Sequence, residues 1–209
     1  MTQVNSATLP EGSQFVLNGG SLLHRIAWNR GSTFESLLNA YTNYVNCKYG
    51  RAVVVFHGYQ ASTIKDMKHK RRSKGKHGMT MTFEKNMNLA VSKEVFLSNK
   101  ERFIFMLGEE LSQIGCTVFH DTGDADCLIV KKTMESAAEN NVVLVGDDTD
   151  LLVLLLHQQY EDKHDVYFAP EPKKKELESA DLGSERCQGK TRFSYMQAYL
   201  IYSCYAWLR

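Results

Sequence analysis

The sequence has no run of the ~20 apolar residues that a membrane helix needs. Its uncharged, aromatic-rich run at 193–208 spans only 16 residues, so a packing segment is expected there rather than an anchor. Charge of one sign is also missing. With 25 Lys and Arg against 24 Asp and Glu, the net charge of +1 points to no partner. The five cysteines, Cys47, Cys116, Cys127, Cys187 and Cys204, are odd in number and form no CxxC. That spacing argues against a zinc ribbon or a disulfide framework and predicts reduced, intracellular thiols. The first fifteen residues have no basic start followed by an apolar core, so no secretory signal is expected and the setting is nucleus or cytoplasm. No GxxxxGK loop is present, which removes NTP hydrolysis by a P-loop. No internal repeat is found.

What is present is ordinary globular material, 43% hydrophobic and 23% charged over 209 residues, enough for one domain with an appendage. Residues 14–17 read as a strand opening into the turn Asn18-Gly19-Gly20. Phe34, Leu37, Leu38, Tyr41, Tyr44 and Val45 recur at three- and four-residue steps, predicting a helix closed by Gly50. The β-branched run 52–56 predicts a strand covered on both faces and ending at His57-Gly58. Ser98 with Glu101 forms a capping box before Phe103, Ile104, Leu107, Leu111 and Ile114, so a helix is expected over 99–114, stopped by Gly115. A strand at 116–119, a helix at 125–139 with Leu128, Ile129, Met134 and Ala137 inward, and a buried strand at 142–145 complete the pattern.

Alternating strands and helices predict an α/β fold with three layers, a mostly parallel sheet carrying helices on both faces. Ligands of such sheets bind beyond the carboxyl ends of the strands, which directs attention to Asn18, His57 and two acidic turns. One turn holds Asp121, Asp124 and Asp126, the other Asp147, Asp148 and Asp150. An extended chain would point Asp148 and Asp150 the same way, towards a shared cation. Crowded carboxylates call for a hard cation with oxygen ligands, Mg²⁺ or Mn²⁺. The plainer alternative is that Asp124 and Asp147 cap helices. Between 64 and 78 the chain is basic, with Lys65, Lys68, Lys70, Arg71 and Arg72 among seven cations opposed by Asp66. Contact with a DNA or RNA backbone or a solvated charge run both fit that composition.

Gly123-Asp124-Ala125-Asp126-Cys127-Leu128-Ile129-Val130 and the segment Val145-Gly146-Asp147-Asp148-Thr149-Asp150-Leu151-Leu152-Val153-Leu154-Leu155 resemble the two acidic motifs of XPG/flap-endonuclease-type nucleases. They are more similar still to a group of animal proteins with PIN-like domains. The resemblance runs from about Asn18 to Pro172. It includes the segment from Gly19 to Arg25 (GGSLLHR), Val55-Phe56-His57-Gly58-Tyr59, Phe96-Leu97-Ser98-Asn99-Lys100 and the segment from Val166 to Pro172 (VYFAPEP). It implies a PIN-like domain over 13–170, followed over 171–209 by a charged linker and an atypical aromatic tail. It also implies Asp124, Asp126, Asp148 and Asp150 as the metal-binding, catalytic acids of a two-ion phosphodiester hydrolysis. Two ligand positions of the family are substituted, with Asn18 and His57 standing where aspartates are expected; Asn brings no charge and His a nitrogen that Mg²⁺ takes poorly. The family's last strand, ending Gly-Cys-Asp-Thr-Thr, has no counterpart, so the sheet is expected to be incomplete at the C-terminus. Unless the aromatic tail covers it, the edge would be open to a partner chain.

Three functions follow as expectations. The first is a degenerate homologue that binds nucleic acid, with weak or absent metal-dependent cleavage. The second is an active Mg²⁺- or Mn²⁺-dependent, structure-specific nuclease. The third is an α/β metal-dependent transferase using Asp148-Thr149-Asp150.

Overall fold

The computed structural model describes residues 2–5, 9–28, 31–58, 85–86, 101–121, 123–158, 164–170 and 197–201. In chain order the elements are β1 (Thr2–Asn5), β2 (Gln14–Asn18), α1 (Gly19–Leu23), α2 (Phe34–Lys48), β3 (Val53–His57) and α3 (Glu101–Gln113). They continue with β4 (Thr117–Asp121), α4 (Ala125–Ser136), β5 (Val142–Val145), α5 (Thr149–His157), β6 (Val166–Ala169) and β7 (Gln197–Ile201). The basic segment, the Ser98 cap, the motif at 96–100 and the linker at 171–196 lie outside the described residues.

The helices form where the apolar spacing predicts. In α2 the Thr33 side chain accepts a hydrogen bond from the Ser36 N–H, and Phe34, Leu37, Leu38, Tyr41, Tyr44 and Val45 are all buried. Gly50 follows with φ +65, a left-handed conformation that costs glycine least. In α3 the buried stripe is Phe103, Ile104, Leu107, Gly108 and Leu111, and Gly115 turns the chain with φ +90. The ring of Phe103 lies 5.1 Å from Trp28, 5.8 Å from Tyr41 and 6.5 Å from Phe34. Full burial of a side chain of this size contributes about 1.5–3 kcal/mol. Within this cluster the Tyr41 hydroxyl donates to the Leu23 carbonyl at 2.7 Å and accepts from Trp28 Nε1 at 3.0 Å. Burial pushes its ionisation far above the usual tyrosine range, with the Trp28 hydrogen bond opposing.

The strands form one sheet in the order β1-β7-β6-β5-β2-β3-β4. The five strands from β6 to β4 are mutually parallel. Alternate residues face opposite layers. Phe15, Leu17, Val54, Phe56, Val143 and Val145 pack with α1, α2 and α3 on one side. Val16, Val55, Val142 and Leu144 pack with Ile129, Val130 and Met134 of α4 and Leu151 and Leu155 of α5 on the other. This is the three-layer α/β arrangement expected from the alternation. At the other end the tail covers β6: β7 pairs with it antiparallel through Phe168↔Tyr199, and β1 adds outside β7 through Val4↔Ala198.

The order of the parallel strands places the site. From β2 the chain winds through α1, α2, β3 and α3 to β4 on one face, then returns over the other face through α4 to β5. The winding therefore reverses between β2 and β5, and the crevice outside that point is where open α/β sheets bind ligands.

Candidate functional site

Asn18, His57, Asp121 and the segment Gly146-Asp147-Asp148 occupy the carboxyl ends of β2, β3, β4 and β5. Asn18 is buried, and its Oδ1 accepts from the Gly20 N–H at 2.9 Å and the Ser21 N–H at 3.3 Å. It acts as the cap of α1. Gly19 allows that turn: a Cβ there would stand 2.3 Å from Phe56 Cδ1 and 2.7 Å from the Val55 carbonyl oxygen. At Gly20 a Cβ would sit 3.1 Å from Asn18 Oδ1 and 3.9 Å from His57 Cδ2, so Asn18 and His57 border one small space. His57 lies beside Asp121 in the register, and the Gly58 N–H donates to the Asp121 carbonyl.

The turn after β5 differs from the extended chain expected for it. Asp148 is the N-cap of α5, and its Oδ1 accepts from the Asp150 N–H at 3.0 Å. Asp150 is therefore in the first helical turn, where a carboxylate also meets the positive end of the helix dipole. The two side chains do not share the same-side geometry of a strand. Asp147, weighed as a helix cap, instead forms an ion pair with Arg25, whose side chain is 12% exposed. Gly146 joins this turn closely to the rest, since a Cβ there would be 2.9 Å from Leu151 Cδ2 and 3.7 Å from Asn18 Cβ.

At the turn after β4, Asp121 Oδ1 accepts from the Gly123 N–H at 3.1 Å. Asp124 stands at the N-cap position of α4 without a side-chain cap bond, contrary to the capping alternative. Its Oδ2 instead lies 3.8 Å from Cys127 Sγ, within reach of the thiol proton. Asp126 is in the first turn of α4. Desolvation first, then the charges of Asp124, Asp126 and Asp121, push the Cys127 thiol above its usual range. Cys127 is therefore a protonated thiol at neutral pH, which disfavours it as a nucleophile or soft ligand.

A divalent ion fits this donor set poorly. Among the described residues no three His, Cys, Asp or Glu side chains are grouped closely enough to hold a metal. The acids fall into two groups, one after β4 and one after β5, with β3 and β2 between them. Three strand spacings amount to about 14 Å between those strand ends, against ~4 Å between the ions of a two-metal site. The ends of the two intervening strands, β2 and β3, are held by Asn18 and His57. Neither adds a negative charge.

Sequence reasoning missed Arg25 as a partner of the acidic turn and the thiol beside Asp124. The only signal for Arg25 was its place seven residues after a strand end in GGSLLHR. The expectation for the cysteines needs one correction: Cys116 and Cys127 are free, but Cys47 is disulfide-bonded. Irregular spacing cannot reveal which sulfurs the fold brings together, and the thiols no longer argue for a reducing compartment. Lys65, Lys68, Lys70, Arg71 and Arg72 are not among the described residues. No helix among the described residues is long and apolar enough to cross a membrane.

Compared with known proteins, the chain matches no protein-family model and no curated protein.

Proposed function

We propose that this protein is a degenerate PIN-like, flap-endonuclease-type protein that binds DNA or RNA and cleaves phosphodiesters weakly or not at all. The observation that carries the reading is the divided acid set. Asp124 and Asp126 stand at one strand end and Asp148 and Asp150 at another, with Asn18 and His57 in the gap. The parallel strand order supports it, because the reversal between β2 and β5 lies at Asn18 and Asp147. The most this donor set accommodates is one weakly held Mg²⁺ or Mn²⁺ beside Asp148, and no chemical step is assigned to it.

Nucleic acid is assigned to the basic segment at 64–78, which follows β3 and Gly58 in the sequence. Lys65, Lys68, Lys70, Arg71 and Arg72 would neutralise backbone phosphates. Five such contacts to a single strand give a slope of about −3.5 in log K against log salt. Fluorescence anisotropy with labelled single-stranded and hairpin DNA and RNA tests this. Replacing the five residues with Gln is expected to remove most of the slope. Binding with the same slope in that variant would show that the phosphates are held elsewhere.

A further inference from the structure

We propose that Arg25 is an internal cation of the acidic edge, supplying positive charge where a metal-dependent site would need a bound ion. The inference rests on the reading of this edge as a divided metal site and explains how its charge is tolerated. A guanidinium stays protonated at any accessible pH, and one that is 12% exposed needs partners; Asp147 forms an ion pair with it. The pair ties Arg25, two residues after α1, to the turn that follows β5, so it spans the reversal between β2 and β5. Three carboxylates lie within four residues on that turn. Arg25 offsets Asp147, while the Asp150 N–H and the start of α5 serve Asp148. Every acid of the turn is thereby provided for by the chain itself or by the dipole of α5, and folding of this edge needs no divalent ion. Arg25 is a positioning residue: it holds Asp147 and, through it, the turn that presents Asp148.

The test is thermal unfolding of the full chain in EDTA and in Mn²⁺, for wild type, Arg25→Gln and Arg25→Gln/Asp147→Asn. The wild type should melt at the same temperature in both. Arg25→Gln should melt lower in EDTA by roughly 3 °C for a chain of this size and regain part of that loss in Mn²⁺. Arg25→Gln/Asp147→Asn should recover stability without Mn²⁺ and lose the response to it. A merely structural role for the arginine would not be rescued by removing its partner's charge. If Arg25→Gln fails to fold while the double variant folds, the pairing is supported; if both fail, it is overturned. A wild type stabilised by Mn²⁺ as much as Arg25→Gln, or an Arg25→Gln chain that melts like wild type, also overturns it. These outcomes are read without nucleic acid, so failure of oligonucleotide binding would count against the proposed function and leave this inference standing.

Discussion

Replacing Gly19 with alanine should loosen the acidic edge from the sheet, and Gly20→Ala, one residue on, should not. The methyl group at 19 would meet Phe56 Cδ1 at 2.3 Å and the Val55 carbonyl oxygen at 2.7 Å. Phe56 is fully buried and stacked on His120 at 5.6 Å, and the carbonyl belongs to a paired strand, so neither can yield cheaply. Overpacking of this kind costs about 1–3 kcal/mol, or roughly 2–10 °C in melting temperature for a chain of this length. At Gly20 the nearest atom is the Asn18 Oδ1 at 3.1 Å, a milder overlap that asks the capping oxygen to move by a few tenths of an ångström while keeping its bonds to the Gly20 and Ser21 N–H groups. Its cost should stay within ~0.5 kcal/mol. Urea unfolding of both variants beside the wild type measures the difference. Equal stabilities for Gly19→Ala and Gly20→Ala would refute the close packing of α1 on β3 and, with it, the placement of Asn18 beside His57.

Asp148→Ala should cost about 1 kcal/mol through loss of the α5 cap, whereas Asp148→Asn, which keeps the accepting oxygen, should melt close to wild type. Tyr41→Phe should cost about 1–3 kcal/mol, because the Trp28 donor and the Leu23 carbonyl lose their shared partner in a buried cluster; denaturant unfolding checks it. Partial desolvation of its exposed position near the end of β4 lowers the His120 imidazole below its ordinary pKa, so the unfolded chain binds that proton more readily. Its contribution to stability is present above about pH 6.5 and is lost as the pH falls through the folded-state value. Unfolding of His120→Gln should accordingly be less sensitive to acidification below pH 6.5 than that of the wild type.

The fold was legible where burial imposes a period. The α2 and α3 stripes and the runs that become β3 and β5 follow directly from residue spacing, because each must present one face or two to the core. The local geometry of the acids was less so. Asp148-Thr149-Asp150 reads equally as an extended strand end and as a helix start, and the choice is made by Leu151 and Leu155 packing four residues apart on the sheet. The repulsion that argued for a cation is relieved partly by the Gly123 and Asp150 backbone N–H groups and partly by Arg25. The first two are local turn and cap bonds; only the Arg25 pair is invisible without tertiary structure. β7 was also hidden, since an uncharged aromatic run carries no period that separates a strand from a packing segment. Its role emerges only when β6 is seen to need a neighbour.

Cleavage and binding measured together on labelled flap, hairpin and single-stranded DNA and RNA, with Mg²⁺ or Mn²⁺, test the divided acid set most directly. Asp148→Asn/Asp150→Asn serves as the control. The expected result is salt-sensitive binding by both proteins, with cutting by the wild type slow or no greater than in the control. Multiple-turnover cutting by the wild type that vanishes in the control would contradict it, showing that Asp124, Asp126, Asp148 and Asp150 suffice although they stand at two separate strand ends.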